Sequence, residues 1–361
     1  MTSRKYFYCI VIILSAFMLA NLALWHGYTK ISFAQGDLNR LGSFIRTQDM
    51  LPDMKYLKHH TELREYLQQN GLKQSFDIIT IGDSFSNGIG SSICYYQDYL
   101  EDRYNLRVLN LRFKNNCLLD LYILVQSGLL DEINPRAVII ESVGRSIQTR
   151  LGNKEIEFPK KSLVEAELAK ISLKKQTASI IRKKISSGLL PSVIANINMK
   201  FVYYRLMRLM FGFDKLGDSY IAELDKNLFS NTGQENLLLF YHQDLNYIGR
   251  RINPAMINKN LNNASKLLQD RNRNIKLIFM GCVDKYDLYY PYVINKRGRP
   301  ENILFDEIQK QPDKNYMFIN TKKILRERLE QGEKDLYWAG DTHWTWKGIQ
   351  IVCDELMKKL Q

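Results

Sequence analysis

The chain has 361 residues, 45% of them hydrophobic, enough to bury a full core in one large domain or two modest ones and too apolar for a disordered segment. Its 51 lysines and arginines against 38 acids leave a net charge of +13, which favours contact with polyanions: nucleic acid, anionic lipid or acidic glycan. The N-terminus selects among these.

Residues 6–25 carry no charge and, at about 1.5 Å per residue, reach about 30 Å, the thickness of a bilayer core. Arg4 and Lys5 precede the run, so the positive-inside rule keeps the short N-terminus in the cytoplasm and exports the rest. Tyr6, Tyr8 and Trp25 stand where interfacial aromatics belong. A cleaved signal peptide is the alternative, but its apolar core would be shorter and end in a small-x-small cleavage site. The expected topology is a single-pass signal anchor in the inner (cytoplasmic) membrane over 1–25, with the body on the periplasmic or extracellular side. Either way the body is exported, which argues against nucleic acid as a partner.

Residues 26–75 read as a membrane-proximal linker, with a short amphipathic helix from His59 to Gln69 ended by Asn70-Gly71. The body, 76–361, carries five short apolar runs at 76–81, 106–111, 137–143, 275–281 and 316–320. Helix-like stretches at 91–103, 118–130, 256–270, 321–331 and 347–360 alternate with them. This alternation predicts an α/β fold with a mainly parallel five-stranded sheet covered on both faces, and ligands beyond the carboxyl ends of its strands. A long interruption, 151–250, is lysine-rich from Lys160 to Lys184, then aromatic and basic from Phe201 to Phe213. It reads as a helical insertion packed on the sheet, with an interfacial helix on anionic lipid or a lid as alternatives.

Cys9 lies in the anchor, and Cys94, Cys117, Cys282 and Cys353 face an oxidising compartment. Cys94 and Cys117 flank the first strand–helix–strand unit and either pair or stay as buried thiols. No metal-ligand spacing is present, so no metal is expected, nor any cofactor.

Two short segments carry chemistry. Gly82-Asp83-Ser84 breaks the first apolar run and presents a serine where a helix begins, and Asp341-Thr342-His343-Trp344 offers a carboxylate and an imidazole two residues apart. A serine hydroxyl is a poor nucleophile without a base in hydrogen-bond reach. Of the five histidines, His26, His59 and His60 are expected on a solvated surface of the linker, and His242 falls in the insertion. His343 is the expected base, with Asp341 accepting from Nδ1–H so that Nε2 is free for Ser84, and Trp344 walling the imidazole from water. The Ser84 backbone N–H is one candidate oxyanion donor. Asn115 or Asn116 is a second, or a plain turn residue. Glu141 and Arg145, after the third run, contact substrate or pair with each other. Lys285, Tyr286 and Tyr289, after the fourth, suit a sugar hydroxyl or carboxylate, or simply pack.

These residues resemble the SGNH (GDSL-like) hydrolase superfamily over 76–145 and 275–360. Gly82-Asp83-Ser84 is similar to its nucleophile block and the late Asp/His pair to its last block. Asp341-Thr342-His343-Trp344, Asp284-Lys285-Tyr286-Asp287-x-Tyr289 and Glu141-Ser-Val-Gly-Arg145 resemble elements of the SGNH-like domains in alginate and exopolysaccharide O-acetyltransferase proteins. In those domains the Asp-His block precedes the serine, whereas here it follows, and the Gly-x-Asn-Asp block of ordinary SGNH esterases is absent. The resemblance implies a three-layer α/β/α sandwich (SGNH/flavodoxin-like) and a Ser84/His343/Asp341 triad. It also implies an envelope polysaccharide or glycolipid substrate and a multi-pass membrane acyltransferase partner. The expected function is an exported O-acyltransferase, with acetyl as the expected group. A carbohydrate esterase with the same triad and a non-catalytic glycan-biosynthesis scaffold are the alternatives.

Overall fold

The computed structural model describes residues 3–29, 36–40, 56, 58–68, 75–87, 95–112, 116–158, 199–212, 215–230, 236–246, 248–272 and 274–360. At the start, Ser3–Leu24 is α-helical and Arg4–Gly27 is the one described stretch long and apolar enough to cross a membrane. Its side chains stand exposed, Ile12 at 66% and Leu19 at 67%, as a helix meant for lipid rather than a protein core would leave them.

The body is built on a six-stranded sheet in the order β1-β3-β2-β4-β8-β9, every neighbouring pair parallel. Its strands are β1 (Thr61–Glu62), β2 (Ile78–Gly82), β3 (Val108–Arg112), β4 (Ala137–Val143), β8 (Lys276–Cys282) and β9 (Met317–Asn320). All five strands expected from the apolar runs are present. The sixth, β1, is a two-residue edge inside the stretch read as linker, followed by a short helix, Leu63–Gln68. β2 and β4 are buried at every position, which requires cover on both faces. Helix Pro254–Arg271 packs with Cys117–Gln126 and Leu304–Lys310, while Trp346–Leu360 packs with Tyr96–Tyr104 and Thr321–Glu330. From β2 the chain moves outward to β3, then returns to the far side of β2 to lay down β4, β8 and β9. The strand order therefore reverses between β2 and β4, and at such a reversal the carboxyl ends of the strands leave a crevice.

The 151–250 interruption is not purely helical. It carries a three-stranded antiparallel sheet, β5 (Lys215–Leu216), β6 (Ser219–Glu223) and β7 (Leu237–Tyr241), after the helix Met199–Phe211. The run Leu237-Leu-Leu-Phe-Tyr241 is buried along four of its five positions, so it behaves as a strand core rather than a helix stripe. The Lys160–Lys184 expectation and Cys94 lie outside the described residues. Cys117 is a buried free thiol, pushed up to about 12 by burial.

His60 departs from the solvated role expected of it. Its ring is buried, Nδ1 lies 2.6 Å from Asp98 and Nε2 lies 3.3 Å from Glu62. Burial disfavours the imidazolium, but the two carboxylates outweigh it and carry His60 up to about 9. Glu62 also takes two bonds from Arg112, which ties β1 to the end of β3.

Candidate active site

β2 ends at Gly82, and only a glycine fits there. A Cβ would meet Ser86 Oγ at 2.1 Å and Glu141 Oε2 at 2.2 Å. The chain then turns through a short helix, Ser84–Asn87. Ser86 is fully buried beneath that turn. Its N–H and Oγ both donate to Glu141 Oε2, at 3.1 and 2.8 Å, and its carbonyl accepts from Gln97 and Asn110. Ser84 is different: it is half-buried, and its hydroxyl makes no hydrogen bond to any described residue.

Glu141, considered for substrate contact, is a fully buried support of the turn. Burial first, and the neighbouring Asp83 carboxylate second, push its carboxyl well above the usual carboxylate range. Burial works against the Asp83 charge too, but the adjacent Glu141 carboxyl, Arg150 at 2.8 Å and the Val143 amide at 3.0 Å hold Asp83 below its ordinary value. Arg150 also reaches Ser142 Oγ at 2.7 Å. The motif thus rests on two neighbouring acids and an arginine, spanning the ends of β2 and β4. Sequence reasoning missed Arg150 altogether and saw Asp83 only as part of a turn.

The second half of the site is the turn 338–345. Asp341 is buried, and its Oδ1 accepts from His343 N–H at 3.0 Å and pairs with His343 Nδ1 at 2.5 Å. His343 Nε2 is buried and has no hydrogen-bond partner. The imidazole packs on Phe85, the residue after Ser84, with ring centroids 4.9 Å apart. Trp344 packs on Phe85 from another side at 4.6 Å, is itself buried, and donates its indole N–H to Tyr337 at 2.9 Å. Burial pulls the His343 pKa down, but Asp341 first, then Asp37 and Asp83, hold it above its ordinary value. The structure therefore brings the serine turn and the histidine turn together through Phe85.

Asp37 was not anticipated. Its backbone N–H donates to Asp341 Oδ2 at 2.9 Å, its two carboxylate oxygens accept from the Thr342 N–H at 2.8 Å and hydroxyl at 2.5 Å, and its Oδ2 lies 3.7 Å from His343 Nδ1. Leu38 N–H adds a bond to Gly340 O at 3.1 Å, and Leu38 is fully buried with Ile221, Leu237 and Leu239. Gly36, at φ +149, comes so close that a Cβ would fall 2.1 Å from Gly340 O. A segment read as part of the linker is thus a strap across the histidine turn. No local sequence signal marks it, since its partners lie 304 residues away.

Asp37, Asp341 and His343 bring potential metal-ligand atoms within 4.8 Å of one another. All four carboxylate oxygens already accept N–H or O–H bonds from the two turns. A cation would have to displace the Nδ1–H that orients the ring, so the trio fits a hydrogen-bonded orienting cluster better than a ligand set.

The remaining predicted site residues are held elsewhere. Lys285 is buried, and its Nζ donates to the carbonyls of Trp338, Ala339 and Asp341 at 2.7, 2.8 and 3.1 Å. All three ammonium hydrogens are spent, so it supports the histidine turn from below and has none left for a substrate. Burial lowers it to about 7, with Asp341, Asp37 and Asp244 opposing. Tyr286 is buried against Phe240, with centroids 4.6 Å apart, and Tyr289 lies between Phe229 and Tyr337. Arg145 does not pair with Glu141. It bonds Asp284 and Asp244 and stacks over Tyr241 at 5.3 Å. Asn116 caps the helix Cys117–Gln126, accepting from Leu118 N–H at 2.9 Å and donating to Arg150 O at 3.3 Å, so both ends of its amide are occupied. Asn115 lies outside the described residues. His242 sits at the end of β7, with Nδ1 3.1 Å from Asp218 O.

Compared with known protein families, curated proteins and solved structures, the chain matches none. Function has to be read from this geometry and from the motifs that form it.

The strap is testable by charge alone. Asp37→Asn keeps an oxygen for the Thr342 N–H and an amide that can donate to the Thr342 hydroxyl, so the contacts survive while the carboxylate goes. The expected result is a lower His343 pKa, followed by NMR titration of the imidazole protons. An unchanged value would show that Asp37 braces the turn without acting on the ring electrostatically.

Proposed function

We propose that this chain is an SGNH-type serine O-acyltransferase, anchored in the cytoplasmic membrane with its body exported, that modifies an envelope polysaccharide or glycolipid. The observation carrying the reading is the His343 imidazole. Its Nδ1 is held by Asp341, its Nε2 is buried without a partner, and its ring rests on the residue next to a serine whose hydroxyl bonds no described residue. A buried nitrogen without a bond is costly, and a hydroxyl brought to it would satisfy it. The location at the strand-order reversal supports the same reading, as does the motif resemblance.

In this mechanism Ser84 Oγ attacks the acyl carbonyl as His343 Nε2 takes its proton, and Asp341 steadies the imidazolium. The Ser84 N–H faces the developing oxyanion. Collapse returns the proton to the leaving group and leaves an acyl-serine. A sugar hydroxyl, deprotonated by the same nitrogen, then takes the acyl group and frees Ser84. Because the base must be neutral, the rate should rise with pH through a pKa above 6.5, the direction in which His343 is displaced.

The test uses the detergent-solubilised full chain and a chromogenic acetyl ester. Acetate release that falls when a polysaccharide acceptor is added, with the glycan gaining acetyl groups, supports transfer. Release indifferent to every acceptor makes water the second substrate and the protein an esterase. No turnover of any ester removes the enzymatic reading.

A further inference from the structure

A second feature lies against Tyr286 of the helix Lys285–Tyr289, outside the serine chemistry. β6, β7, the turn at 294–299 and the helix Met199–Phe211 enclose a cavity of about 260 Å³. That is below the roughly 300–1,000 Å³ of drug-sized pockets, so the cavity suits one ring-sized group rather than an extended chain. Arg208, Arg297 and Arg299 line it, and Glu223 is the one acid among its described lining residues. Of its aromatic lining, Tyr220 is the partly exposed ring, with Phe240 and Tyr286 buried behind it. Tyr220 stacks on Phe240 with centroids 5.7 Å apart and 14° between planes, and Phe240 meets Tyr286 at 4.6 Å.

The backbone gives an independent sign. Arg299 N–H closes a turn onto Lys296 O at 3.0 Å, and its two central residues, Arg297 and Gly298, have φ of +51 and +69. Two successive positive φ values call for Asn-Gly or Gly-Gly, so an arginine in the first position is held against its backbone preference. Residues kept in such conformations cluster at ligand-binding positions.

We propose that this cavity binds an oxyanion carried on a sugar-sized ring, with the guanidinium groups taking the carboxylate or phosphate and Tyr220 packing against the ring. Guanidinium groups supply paired N–H donors that match either oxyanion. The proposal does not depend on Ser84.

Binding is measured on the detergent-solubilised full chain by calorimetry at low salt, with glucuronate, glucose 6-phosphate and glucose as probes. Saturable binding of glucuronate or glucose 6-phosphate, with none of glucose, is the expected result, and the tighter of the two identifies the source of the anion. Arg299→Gln and Arg297→Asn should each weaken it about tenfold, the loss of one charge-assisted pair. Arg297→Asn also separates binding from folding, because asparagine suits the turn and the unfolding temperature should hold or rise. Ser84→Ala should bind as the native chain does, so a failure of the serine chemistry and a failure of this site read differently. Neither anion binding, glucose binding equally well, or full affinity in both arginine variants would overturn the proposal.

Discussion

Ser84→Ala is expected to cut ester turnover by at least about a thousandfold while leaving the unfolding temperature unchanged. Both halves follow from the same observation. The Ser84 hydroxyl makes no hydrogen bond to any described residue, so its removal leaves no group of a described residue unsatisfied. Stability should therefore be silent, and any loss of rate belongs to the chemistry. Ser86, two residues on, is the built-in control. Its hydroxyl supports Glu141 and lies 3.1 Å from the Tyr96 hydroxyl, so Ser86→Ala should lower stability first and activity only as a consequence. Paired thermal melts and initial rates separate the two serines. A Ser84→Ala protein that keeps a tenth of its rate would remove this residue as nucleophile.

Lys285→Met should destabilise the chain by about 3 kcal/mol, since buried carbonyls left without donors each cost roughly 1–3 kcal/mol and the relief of burying a charge offsets part of the sum. Methionine nearly matches the lysine stem in length, so the loss is of hydrogen bonds rather than volume. Three carbonyls of the histidine turn lose their common donor together. Activity should fall even at temperatures where the variant remains folded, because the turn that fixes His343 is no longer held from beneath. Denaturant unfolding followed alongside ester turnover checks both. Native stability together with native turnover would show that the turn stands without its tether.

The five main strands were legible because each is a run of β-branched and aliphatic residues long enough to cross a buried sheet, and their ends fall within two residues of the apolar runs. β1 was not, since two residues of a mixed Thr-Glu pair carry no periodicity. β6 and β7 were hidden by the helix-like composition around them. At the candidate site, the Asp341–His343 pair was legible because both residues sit in one short motif, and Ser84 because it follows the glycine that ends a buried strand. Lys285 was misjudged for a physical reason. A lysine at a strand end usually reaches water, and nothing local reveals that three carbonyls from more than fifty residues later close around it. Asp37 and Arg150 act across the fold in the same way, and a single sequence does not encode such distance.

The strap at 36–40 bears on how this protein can be handled. A soluble fragment cut to begin at the first strand of the sheet would contain the serine, the histidine and the aspartate, and could purify as a well-behaved globule. It would lack the Asp37 carboxylate, the amide that grips Asp341 and the Leu38 plug between the small sheet and the histidine turn. Inactivity in such a truncation would reflect the missing clasp, and adding back a peptide spanning that stretch is the direct way to find out.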